Sequence, residues 1–113
     1  MRLPKNAEAL RIYIAEGDRY KGRLLAEAVV DAAREAGLAG ATVTRSILSY
    51  GTGSVVHSNK ILRLAEDLSV VIEIVDEPDK LDAFQPVLDE MLDSGLVTRA
   101  PVTVALHRHS GED

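Results

Sequence analysis

The order strand, helix, strand, strand, helix, strand predicts an α+β chain on the ferredoxin-like βαββαβ plan. Three observations carry that reading. Leu10, Ile12 and Ile14 alternate with Arg11 and Tyr13, apolar residues recur at helical spacing over 23–36 and 81–92, and residues 69–75 are almost wholly Val and Ile. The plan places both helices on one face of a four-stranded antiparallel sheet. With 113 residues and 46% hydrophobic content the chain fits one domain, 1–113, with an ordered core of roughly 8–108.

Each element follows from local chemistry. Period two over 10–14 makes the first strand, and the polar stretch 17–22 bounded by Gly17 and Gly22 reads as a loop. Leu25, Ala28, Val29, Ala32 and Ala36 form the stripe of a helix over 23–36 that Gly37 stops. Residues 41–50 are rich in Thr, Val, Ile and Tyr and predict the second strand, with Val43, Arg45 and Ile47 on one face. Residues 55–68 fit either a short helix or an irregular strand. The run 69–75 is expected to be a central strand buried on both faces. Asp76 is expected to cap the second helix, with Pro78 in its first turn and Pro86 inside it. Leu81, Phe84, Leu88, Met91 and Leu92 form its stripe, Gly95 ends it, and Val102, Val104 and Leu106 mark a last strand.

Composition narrows the function. The 13 basic and 18 acidic residues give a formal net charge of −5, which argues against a nucleic-acid partner. The strands also lack the stacked aromatics of an RNA-reading sheet. There is no cysteine, hence no disulfide framework or thiolate chemistry. No apolar run is long enough to insert in a membrane and the first eight residues lack a signal-peptide core, so a cytoplasmic location is expected.

The topology gathers three loops at one end of the sheet: 17–22, 50–60 and 93–101. They carry Arg19, Lys21, Lys60 and Arg99. Glycines allow close backbone approach, free N–H groups accept anions, and Arg or Lys hold phosphate. The start of the first helix points at the same end. A small phosphate-bearing ligand is the chemistry these features suggest. Val71 and Val75 point opposite to Val70, Ile72 and Ile74; the set that the helices leave uncovered is an exposed aliphatic patch, and a patch of that kind predicts an oligomer packed through its sheets.

The phrases LRIYIAEGDRYKG, AREAGLAGATVTRSILSYG and ILRLAEDLSVVIEIVDEPDKLDAFQPVLDEM resemble a domain-of-unknown-function family (one-ninety) of PII-like proteins, over residues 9–106. They resemble true PII signalling proteins more distantly, through the pattern at 37–44, the loop after the second strand and the IEIV run at 72–75. The resemblance implies a homotrimer that binds an adenine nucleotide (ATP, ADP or AMP) as effector in clefts between subunits, with no required cofactor. It also implies a mobile loop, 50–60, that docks on a regulated partner protein, a membrane transporter being one candidate. Its ligand would lie against Tyr50, Gly51 and Gly53 at the base of that loop, and against Gly95 and Arg99. The chain departs from PII in having a shorter loop, and in lacking the glycine- and lysine-rich phosphate motif at 93–99.

Other chemistries fit less well. Arg45 is expected in a structural ion pair, with Glu73 as partner. His57 with Ser54 and Ser58 suggests a nucleophile and base, but no orienting carboxylate is legible, so no catalytic residue is assigned and the chain is read as a non-enzyme. His57, His107 and His109 are metal-ligand candidates for a CutA-like metal-responsive trimer, without the spacing of zinc sites. A purely protein-binding module is a further alternative. An acylphosphatase-like hydrolase needs a phosphate loop after the first strand that 17–22 does not match.

Overall fold

The computed structural model describes residues 2–51 and 68–108. Strand β1 (Asn6–Ala15) is flanked on both sides, because Leu10, Ile12 and Ile14 need a covered face and its own backbone needs two partners. A two-residue-per-strand hairpin follows, β2 (Arg19–Tyr20) and β3 (Arg23–Leu24), then helix α1 (Leu25–Glu35). Strand β4 (Thr42–Arg45), strand β5 (Ser69–Asp76), helix α2 (Pro78–Met91) and strand β6 (Leu96–Thr103) complete the order. The four long strands form one antiparallel sheet in the order β4-β5-β1-β6. The expected α+β class, the sheet and the two helices are all present.

The register sorts the sheet residues. Ile12 pairs with Ile72 and Val97, and this parity puts Leu10, Ile14, Val70 and Ile74 on the helix side. There they pack with Leu25, Val29, Leu81, Phe84 and Leu88 into a single core. The opposite face carries Ala9, Arg11, Tyr13, Val71, Glu73, Val75, Leu96 and Thr98, with an Arg11–Glu73 ion pair of 2.8 Å near its centre. Helix α1 ends in a Schellman motif: Gly37 N–H donates to the Arg34 carbonyl (3.0 Å) and Leu38 N–H to the Ala33 carbonyl (3.1 Å). Gly37 supplies the positive φ of 80° that this turn needs.

Several boundaries differ from the sequence expectation. The stretch 17–22 is partly a hairpin: Lys21 and Gly22 have φ of 51° and 83°, the two positive values of a type I′ turn. Arg23 and Leu24 therefore belong to β3, and α1 begins at Leu25. Ala36 lies beyond α1 and is exposed, while Ala33 is buried in its place. Strand β4 stops at Arg45 rather than continuing to Tyr50. The last strand starts at Leu96, earlier than the Val102–Leu106 alternation suggests. It is an edge strand, where the missing N–H of Pro101 is tolerated.

Asp76 does not cap α2, whose N-cap is Glu77. It is fully buried, and its carboxylate accepts from Glu77 N–H at 2.7 Å and from Ala39 N–H at 2.8 Å. It thus ties the end of β5 to the loop after α1. Arg45 pairs with Glu16 at 3.0 Å, not with Glu73. The register explains this: Glu73 lies opposite Thr42 and Arg11 on the open face, whereas Arg45 lies opposite Val70 on the helix side.

Candidate functional site

The ends of β1 and β4 and the starts of β5 and β6 meet at one end of the sheet. Ala15 pairs with Ser69, Arg45 with Val70, and Tyr13 with Leu96. Three serines organise the segment that leaves β4. Ser46 N–H donates to the Ser69 carbonyl (3.0 Å), the Ser46 and Ser69 hydroxyls share a bond of 2.8 Å, and Ser69 N–H donates to the Ser49 hydroxyl (2.9 Å). With its polar side chains turned inward, the segment presents Ile47, Leu48 and Tyr50 outward, 91%, 71% and 89% exposed. Gly51, at φ 94°, follows them.

Gly95 sits at the same end for a steric reason. Its φ is 129°, and a Cβ there would lie 2.7 Å from the Tyr13 carbonyl oxygen and 3.3 Å from Ile14 Cγ2. Only glycine lets the backbone pass so close to β1.

Beside this end, between α1 and the outer edge of β4, lies a groove of about 540 Å³. Leu24, Ala26, Val30, Val43 and Val70 give it apolar walls. Its charges are two ion pairs, Arg45–Glu16 at 3.0 Å and Arg23–Asp31 at 2.6 Å, with Glu27 nearby. The Arg23 guanidinium is held further toward its charged form, chiefly by the hydrogen bond to Asp31. All four paired side chains are substantially exposed.

The sequence-derived residues distribute unevenly around this end. Arg19 is on the hairpin, where its Nη1 donates to the Gly22 carbonyl at 3.3 Å. Lys21 is at the hairpin tip with its Nζ 5.2 Å from the centre of the Tyr20 ring. The hairpin leans on the helices, its Tyr20 hydroxyl 3.4 Å from a Glu90 carboxylate oxygen. Tyr50, Gly51 and Gly95 are at the sheet end. Arg99 is drawn away from it. It is within β6 on the helix side, donating to Glu8 (2.8 Å), Asp82 (2.7 Å) and the Pro78 carbonyl (3.2 Å). The hydrogen bond it donates to Asp82, then that to Glu8, raises its pKa, and the cation clamps β1, β6 and α2 together. His107 is at the opposite end of the sheet, accepting from Leu3 N–H at 2.8 Å. Gly53, Lys60, His57 and His109, with Ser54 and Ser58, lie outside the described residues.

Sequence reasoning missed Arg23 and the groove. One signal was available: a charged residue on the helix side of an edge strand, Arg45 beside Val43, must either pair or line an opening. Among the described residues no group of three or more His, Asp or Glu is placed to hold a metal ion. Among them, too, no helix is long and apolar enough to cross a membrane. The arrangement is suited to binding: exposed cations with displaceable partners, an apolar wall and close-approach glycines.

These features define the class, an α+β domain of the ferredoxin-like plan with loops and a groove gathered at one end of its sheet. Residues 7–104 match the DUF190 family, described as Uncharacterized ACR, and the chain belongs to that family. It is 36% identical over 106 residues to a UPF0166 protein of Aquifex aeolicus, an alignment covering 92% of this chain and 97% of that one. To a UPF0166 protein of Methanocaldococcus jannaschii it is 33% identical over 107 residues, 94% of each chain.

Proposed function

We propose that the chain is a PII-like regulatory protein of the cytoplasm: a homotrimer, not an enzyme, that binds a small phosphate-bearing ligand and signals to a partner protein. The ligand is an adenine nucleotide, held in clefts between subunits at the loop end of the sheet. The observation that carries the reading is the convergence at that end. Gly51 and the exposed Tyr50 at the β4 edge and Gly95 at the β6 edge share that end, and a groove beside it holds two arginines in exposed ion pairs.

Exposed ion pairs are weak because water screens them, so an incoming phosphate can replace a carboxylate on Arg23 or Arg45. Arg19 and Lys21 extend the positive potential along the hairpin. The apolar wall of the groove suits a purine ring, and Tyr50 is free to stack on one. The open sheet face supports the trimer, since it carries Tyr13, Val71, Val75 and Leu96 around the Arg11–Glu73 ion pair. Ligand binding then selects one arrangement of the segment that leaves β4, and that arrangement engages or releases the partner.

Isothermal titration of ATP, ADP and AMP into protein whose mass is fixed by light scattering tests this. The expected result is micromolar binding by a trimer, with up to one site per subunit, weakened about tenfold by Arg45→Gln through the loss of a charged hydrogen bond. An intact trimer that binds no nucleotide overturns the sensor reading. A monomer overturns the inter-subunit cleft.

A further inference from the structure

At the end of the sheet opposite the loops, residues on either side of the β1–β6 pair are joined twice. Val104 N–H donates to the Lys5 carbonyl at 2.7 Å. Beyond it, Leu3 N–H donates to His107 Nδ1 at 2.8 Å. Leu3 and His107 are both half-buried, and together they wall a cavity of about 330 Å³ with Ala39, Gly40, Thr42, Glu73 and Val75. Thr42, Glu73 and Val75 all belong to the open sheet face. The Leu3–His107 bond therefore holds two strand extensions against one corner of that face.

An imidazole nitrogen accepts a hydrogen bond only through its lone pair. A bond from Leu3 N–H to Nδ1 thus requires the neutral ring with its proton on Nε2. We propose that His107 is a proton-operated latch: protonation of Nδ1 converts the acceptor into a donor, ejects the Leu3 N–H and frees residues 2–4 from the corner of the open face, while the Val104–Lys5 bond still holds the strand behind them. The proton comes from solvent and stays on the ring, and Leu3 N–H passes to water. Two N–H groups then point at each other where one bond stood, so the contact becomes repulsive.

The surroundings of the ring include a carboxylate. From β5, Glu73 shares the cavity, its carboxylate already 2.8 Å from Arg11 of β1. Thr42 and the segment 39–41 contribute no titratable group. Lys5 on the leading extension and Arg108, the next residue in the chain, carry the same sign of charge as an imidazolium. Protonation thus places a cationic ring in a cavity that also holds the Glu73 carboxylate. Where that face is an interface between copies, the latch sets how much of it is presented. This consequence alone rests on the trimer proposed above.

The test is nuclear magnetic resonance on the full chain, with the His107 ring signals assigned by their loss in His107→Asn. At about pH 8 the ring is expected as the Nε2–H tautomer with the Leu3 amide protected from exchange. Between about pH 8 and about pH 5 the protection factor of Leu3 should fall by at least about fivefold, in step with protonation of the ring as its own signals report it. His107→Asn keeps a neutral acceptor, and should hold the Leu3 protection constant over the same range. A proton on Nδ1 at the upper pH overturns the latch, as does Leu3 protection that stays level while His107 titrates. Neither readout involves nucleotide, so the latch and the sensor reading stand or fall separately.

Discussion

The two faces of the sheet are made of the same strands and meet opposite fates. In β1, Leu10, Ile12 and Ile14 are sealed under the helices, while Arg11 and Tyr13, interleaved with them, stay half-exposed. In β5, Ile72 and Ile74 are fully buried while Val71, Glu73 and Val75 are not. The helix side is finished by the chain itself, since α1 and α2 bring Val29, Leu81, Phe84 and Leu88 onto it. The open side interleaves Val71, Val75 and Leu96 with Arg11, Glu73 and Thr98, and among the described residues no helix packs on it. One face therefore carries the stability of the isolated chain, and the other is available to an outside partner.

The largest way to break that comparison is Phe84→Ala. Phe84 is 1% exposed at the heart of the helix side, and its truncation should cost about 3–5 kcal/mol, read by urea denaturation. A loss below about 1 kcal/mol would mean that the helix side does not dominate. Gly95→Ala tests the place where β6 joins the sheet. A methyl 2.7 Å from the Tyr13 carbonyl, at a φ of 129°, should cost about 1–3 kcal/mol in the same assay. The smallest folding effect belongs to Val71→Lys on the open face, within about 0.5 kcal/mol for the monomer. It should nonetheless lower the solution mass and remove any dependence of the denaturation midpoint on protein concentration. A change in stability with unchanged mass would reverse the roles assigned to the two faces.

What the sequence made legible follows the same division. Alternation in β1 and the apolar runs of β5 and both helices signal a core whose partners are set by period, so these elements were readable locally. The misses depend on distant neighbours. Asp76 before Pro78 has the local pattern of a helix cap, and only the loop 37 residues upstream, with its Ala39 N–H, makes it a buried acceptor. Arg45 and Glu73 are both on adjacent strands, but strand register puts them on opposite faces and gives Glu73 to Arg11. The hairpin rests on Lys21 adopting a φ of 51°, a conformation with no strong signature in lysine. At the candidate site, glycines and exposed loop cations were legible as types. Arg99 was not, because its commitment to Glu8 and Asp82 depends on β6 starting at Leu96.

The strand order β4-β5-β1-β6 also has a consequence in time. Within this domain the earliest strand to be made, β1, is a central one, and both of its neighbours are made late. Arg11 waits for Glu73, 62 residues on, and Glu8 waits for Arg99, 91 residues on. Until then β1 has two bare hydrogen-bonding edges and an aliphatic face with nothing to cover it. The hairpin and α1, closed by local contacts, can form during this interval, but the sheet cannot. The sheet therefore cannot close until β6 has been made, and the interval before that is when this chain is most exposed to aggregation.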